Sequence, residues 1–393
     1  MRKLLITFLL AIASSTSIAQ SNEELQSQID NIMDVVAKDI SGRLQWKGDL
    51  RYRNETIDQE YTLDVRNRDR VRFRLGAVAT VNPDVKVEFQ VTTTEGGDAR
   101  SSNQTLTDAN SRKALDLDLA YGEWTVNQTT KLMAGKMKYP WVRTSSYFYD
   151  GDINPEGVAA SYNNTTTGVF GSAFLARLAE RGTATDSNMV GMQVGLRKKV
   201  NDDVNFTIAA SYFDHQNVLN YNVIQSGSAG GYFGNTTKTT GCLSASPCLS
   251  NDFDIVEGLV EVNARALDLP LVVFANYAIN TKVDVNDKAA AAGLTLNKAS
   301  LPKSWEVGYV YQKIQKDSLY GQWIDSDFAS GSTDMQGHAF RGAYQLNKNL
   351  RFNATYMVNE TNLFSPASVT IPVAKSVKNR GYDRIQLDLN FTF

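Results

Sequence analysis

Histidine and cysteine are nearly missing from this chain. Its 393 residues hold two histidines, His215 and His338, and two cysteines, Cys242 and Cys248. A hydrolytic nucleophile needs a base within reach, and no nucleophile motif surrounds either histidine, so no catalytic residue is assigned. The histidines make no ligand spacing with the cysteines, so neither a metal nor another cofactor is expected. The cysteines lie in GCLSASPCLS, a small-residue stretch, and are expected to form a local disulfide in an oxidising compartment. An excess of one charge sign is also absent. Lys and Arg number 40 against 42 Asp and Glu, which implies no chain-wide attraction to nucleic acid.

Long apolar runs are absent beyond the first residues. MRKLLITFLLAIASSTSIAQ has a basic start (Arg2, Lys3), an apolar run from Leu4 to Ala13, and a small-x-small site at Ser17-Ile18-Ala19. Residues 1–19 are expected to be a signal peptide, because the run is shorter than the roughly 20 residues of a spanning helix. An exported chain without such a helix is either soluble or an outer-membrane barrel, in which only alternate residues face lipid.

What is present is periodicity. In residues 20–41, Leu25, Ile29, Ile32, Val36 and Ile40 recur at helical spacing, with Ser21 and Glu24 as a capping pair. This segment reads as a short amphipathic helix, either against the periplasmic side or in the lumen as a plug, or as a self-associating coil. From residue 42 the period becomes two. RNRDRVRFRLG (66–76) places Arg66, Arg68, Arg70, Arg72 and Arg74 on one face and Val71, Phe73 and Leu75 on the other. WKGDLRYR puts Arg51 and Arg53 opposite Leu50 and Tyr52. The final GYDRIQLDLNFTF sets Ile385, Leu387, Leu389 and Phe391 against Arg384, Gln386 and Asp388, and ends on Phe393.

About 16 such strands are expected over 42–393, with one at 318–327 and a long link at 283–303. Short polar turns (82–84, 200–203, 267–270, 347–349) alternate with long Gly/Ser/Asn/Thr-rich links (94–113, 140–157, 214–252, 283–303, 360–380). Short turns at one end and long loops at the other describe an all-β transmembrane antiparallel β-barrel. Closure satisfies every backbone group in lipid, and about 16 strands leave room for water. An arginine facing lipid at mid-depth costs roughly 2–4 kcal/mol, so the arginine row faces inward.

WKGDLRYR (46–53), RNRDRVRFRLG (66–76), GKMKYPW (135–141), DGDINPEGVAASY (150–162) and the terminal NFTF (390–393) carry a resemblance to Gram-negative outer-membrane porins, specifically the putative porin family. The likeness implies a homotrimer among outer-membrane lipid and lipopolysaccharide, in a Gram-negative bacterium. It also implies a water-filled channel for passive diffusion of small hydrophilic solutes and ions. By position, loop 140–157 resembles the porin loop that folds into the lumen. Its Asp150, Asp152 and Glu156 are then expected to face Arg51, Arg53, Arg66, Arg68, Arg70, Arg72 and Arg74 across a constriction. Inward bases outnumber inward acids on the strands, so a modest anion preference is expected. The D-x-D-x-N of Asp150 to Asn154 could instead begin a calcium loop, but Pro155 replaces the needed glycine and Ser161 the distal glutamate. The alternatives to a general pore are a solute-specific (anion or sugar) channel and a structural or adhesive barrel with a blocked lumen.

Overall fold

The computed structural model describes residues 26–33, 42–60, 64–107, 109–224, 231–363 and 380–393. The expected signal peptide and both ends of the amphipathic segment lie outside them. Residues 26–33 are helical, with Gln26 Nε2 donating to Asp30 Oδ1 at 2.9 Å.

The strands are β1 (Leu44–Gln59), β2 (Arg66–Asn82), β3 (Val85–Thr94), β4 (Ala114–Thr125), β5 (Thr130–Lys136), β6 (Glu156–Asn163), β7 (Val169–Ala179) and β8 (Ser187–Lys199). They continue with β9 (Asn205–Gln216), β10 (Phe253–Ala266), β11 (Leu269–Asn280), β12 (Lys288–Leu296), β13 (Trp305–Ile314), β14 (Met335–Asn347), β15 (Leu350–Thr361) and β16 (Arg380–Thr392). Each pairs antiparallel with its sequence neighbour, and β1 pairs with β16 through registers such as Arg51↔Asn390 and Arg53↔Asp388, closing a 16-strand barrel.

The alternation of residue types becomes two surfaces. On β16, Ile385, Leu387 and Phe391 are exposed on the outside, while Arg384 and Gln386 are 2% and 3% exposed within. Outer Trp46, Trp124, Tyr162, Trp305 and Tyr344 stand near the short-turn end, where amphipathic rings suit the membrane boundary. The short turns repeat one device. Asn82, Asn127, Asn164 and Asn201 each accept two backbone N–H bonds through the side-chain oxygen, an Asx turn that imposes the reversal locally. Leu267 and Asp268 instead both take positive φ (52° and 61°), as a two-residue hairpin turn matched to strand twist requires.

Two segments differ from the expectation. Residues 288–296, KAAAAGLTL, form β12 rather than part of a link, and 318–327 form loop rather than strand. The strand number stands because one omission offsets one excess. In β12 the inward Ala289 and Ala291 and the outward Ala290 and Ala292 are the same residue, so no polarity contrast marks the faces. In 318–327 the apolar side chains are buried against another loop, with Leu319 and Ile324 at 0% exposure. The long-loop end therefore has a short connection at 281–287, and 297–304 lies at the other end.

Candidate functional site

The inward face of β1, β2 and β16 is a lattice of guanidinium and carboxylate groups. Arg53 is opposite Asp388 in the β1–β16 register and grips it with two bonds, Nε–Oδ1 at 2.7 Å and Nη2–Oδ2 at 2.9 Å. Arg384 and Arg68 both bind Glu55, which is fully buried. Arg72 and Arg74 share Asp49, each at 2.7 Å. Three of the five like charges on alternate positions, Arg68, Arg72 and Arg74, thus coexist because the neighbouring strand brings Glu55 and Asp49 to matching heights. Arg51 donates to the Asn103 amide oxygen at 2.6 Å, and Arg66 stands exposed near the loop end of β2.

Loops close over this lattice from the barrel's interior. Loop 137–155 leaves β5, and its first half is pinned to the far wall. Gln193 exchanges two bonds with the Val142 backbone (2.8 and 2.9 Å), and Glu261 accepts the Ser145 N–H at 2.6 Å. Trp141 stacks on Phe174 of β7 with ring centroids 4.6 Å apart. Loop 315–334 folds in beside it. Asp150 N donates to Trp323 O (2.8 Å) and Asp325 N to Phe148 O (3.0 Å), around a bridge between Tyr149 and Ile324. Phe148, Ile324 and Phe328 join inward Phe213, Phe253 and Phe274 in one apolar cluster. Burying each such side chain contributes about 1.5–3 kcal/mol. The barrel is therefore filled on the β7–β14 side.

Of the three carboxylates expected to oppose the arginines, only Asp152 reaches them, 3.7 Å from Arg74 and bonded to the Ser102 N–H and hydroxyl (3.1 and 2.7 Å). Asp150 turns away to accept the Ser326 and Asp152 N–H groups, at 2.8 and 2.9 Å. Glu156 is exposed and pairs with Lys136 at 2.7 Å. The main opposing acid is Asp327, at the end of segment 318–327, which forms loop rather than the expected strand. It lies 2.7 Å from Arg53 and 2.8 Å from Arg384. Burial would raise its pKa, but Arg384 and Arg53 hold the carboxyl well below the usual range. Asp152 is likewise lowered, against burial, by Arg72 and Ser102. Asp150 moves the other way, pushed up by burial and by Asp325 and Asp152.

Polar space remains on the arginine side. One cavity of about 280 Å³ is lined by Arg68, Arg70, Arg100, Ser101, Ser326 and Arg384, with Glu95 and Asp98. Another of about 210 Å³ includes Thr94, Asp98, Asp116, Asp118, Lys136 and Asp152. Residues 95–103 hang inward to bound both. Arg100 donates to Gly331 O at 2.7 Å, and Ser326 Oγ to Arg100 O at 2.9 Å. Gly331, at φ 74°, makes this approach possible: a Cβ there would sit 2.9 Å from Ser326 Cα. Cys242 and Cys248 are disulfide-bonded. Among the described residues no cluster of His, Cys, Asp or Glu has the arrangement of a metal site, and no helix is long and apolar enough to span a membrane.

Solved outer-membrane proteins share this fold. A Pseudomonas putida OprB solved at high pH aligns with a TM-score of 0.56 at 12% identity, covering 92% of this chain and 96% of that one. A Salmonella typhi OmpF in complex with daunomycin aligns with a TM-score of 0.51 at 13% identity, covering 89% and 97%. No curated protein matches. The family described as "Putative porin" matches residues 15–238 and 259–393. With its 16-strand barrel, apolar outer face and charged lumen wall, the chain belongs to that family of outer-membrane channel proteins.

Proposed function

We propose that the barrel is a narrow diffusion channel for small hydrophilic solutes and ions in the outer membrane of a Gram-negative bacterium, and that its path follows the arginine wall. The observation that carries this is the asymmetry of the lumen. Loops 137–155 and 315–334 pack apolar side chains against β7–β14, whereas the β1–β4 and β16 side keeps charged groups around unfilled cavities. Guanidinium groups on one side and Asp152 and Asp327 on the loops make a transverse field. Such a field orients dipolar solutes and disfavours apolar ones. Most of these arginines have a carboxylate partner, but among the described residues Arg51 donates to an amide oxygen and Arg70 has Glu95 no nearer than 3.5 Å. That residue of positive charge supports a modest anion preference.

Planar-bilayer recording of the purified chain tests the reading. Discrete steps of low conductance, with a reversal potential favouring chloride in a potassium chloride gradient, are expected. Steps grouped in threes would fit a homotrimer seated among lipid and lipopolysaccharide. A sealed bilayer with correctly folded protein would overturn the channel in favour of a structural barrel, and firm cation preference would overturn the selectivity.

A further inference from the structure

We propose that the cavity between Arg70 and Arg100 is a binding site for a small oxyanion, a carboxylate or a phosphate. The proposal rests on the channel reading for the route by which the ion arrives, and on the cavity alone for its binding.

The two arginines are set apart from the rest of the lattice. Arg68 and Arg384 are committed to Glu55, and Arg384 also to Asp327. Arg70 and Arg100 are 6% and 5% exposed, yet are held mainly by neutral oxygens. Arg70 Nη2 donates to Asn103 O at 3.1 Å and Ser101 Oγ at 3.3 Å, with Glu95 at 3.5 Å. Arg100 Nη1 donates to Gly331 O, and its guanidinium lies 3.4 Å over the Phe233 ring. The Nε–H of each is buried without a hydrogen-bond partner among the described residues. A buried donor left unsatisfied carries a real desolvation cost, larger on a charged group. Both side chains line one cavity.

The nearby acids pair with these arginines only at long range, Glu95 3.5 Å from Arg70 and Asp98 3.7 Å from Arg100. Glu95 is 46% exposed at its side chain and accepts from Thr105 Oγ1 at 2.8 Å. Asp98 accepts the Arg100 backbone N–H at 3.0 Å and stays 3.7 Å from its Nε. The cavity, about 280 Å³, is several times the roughly 30 Å³ share of one water. It has room for an oxyanion and part of its hydration. Oxygens of one bound anion can accept from guanidinium N–H groups on two sides, forming charge-assisted bonds that the fork geometry of arginine favours.

Isothermal titration of the full-length chain in detergent, with inorganic phosphate and separately with acetate at low chloride, tests the site. Saturable binding of at least one is expected, and comparison of the two tells tetrahedral from planar recognition. The Arg70→Gln/Arg100→Gln pair should weaken it tenfold or more. Arg70→Lys keeps the charge and the barrel but loses the fork, so it should weaken binding as well. Lys282→Gln, on the loop side and away from the cavity, should leave it unchanged. No saturable binding of either anion would overturn the site. Equal weakening by Lys282→Gln would also overturn it, because that result describes a diffuse positive field. Conductance without binding leaves the channel standing and removes the site, whereas binding in a non-conducting barrel does the reverse.

Discussion

At the scale of single residues, the arginines persist because each carboxylate is placed by strand register or loop geometry. Arg384 and Glu55 are 2% and 0% exposed at their side chains. Truncating one partner of such a pair leaves a buried charge, at a cost of roughly 3–5 kcal/mol. Arg384→Met should therefore lower stability by about that much in urea titrations of the lipid-embedded protein, and a loss below 1 kcal/mol would show that the pair is weakly coupled. Asp327 is the loop acid closest to the wall. Asp327→Asn removes one negative charge from beside Arg53 and Arg384, so the reversal potential should move toward anions. The arginine row was legible from RNRDRVRFRLG because a period of two has one structural meaning. Its principal loop partner was not, because Asp327 reaches the wall through a long connection whose path no local pattern encodes.

At the scale of elements, the clasp between loops 137–155 and 315–334 determines how much of the lumen is filled. Its pH response follows from Asp150. The folded value is raised above the ordinary 3.8 by burial and by Asp325, so the native clasp holds a proton that the open loop releases more readily. The stabilisation is complete below the ordinary value and declines as pH rises from about 4 through the raised value. Hydrogen exchange at the Asp325 and Ser326 amides, corrected for intrinsic rate, should show easier opening at pH 8 than at pH 5. Asp325→Asn should flatten that dependence, and an unchanged slope would contradict it. Replacing 319–330 with a short Gly/Ser linker should raise single-channel conductance several-fold, since those residues occupy the interior. A hint of this filling was present in the sequence. Strands such as FDIVEGLVEV carry apolar residues on both faces, with Phe253 and Ile255 inward and Val256 and Val260 outward. A wall facing only water has no use for inward phenylalanine. By contrast, KAAAAGLTL carries no contrast between faces, and β12 became visible only through its neighbours' hydrogen bonds.

At the scale of the whole molecule, the closed barrel satisfies its backbone, its outside matches lipid, and its inside is divided between a packed half and a charged half. The architecture was legible because alternation, turn chemistry and loop asymmetry agree over some 350 residues. The division of the lumen was not, because it arises from long-range loop packing. The central claim, a conducting path along the arginine wall, is tested most directly by single-channel recording of two cysteine variants under a charged thiol reagent. The only native cysteines are disulfide-bonded, so the background is silent. Ser101→Cys lies at the polar cavities, and Asn276→Cys lies beneath loop 137–155 on the packed side. The reagent should lower conductance sharply in Ser101→Cys and leave Asn276→Cys unaffected. Block at Asn276→Cys with none at Ser101→Cys would place the path on the other side and contradict the account.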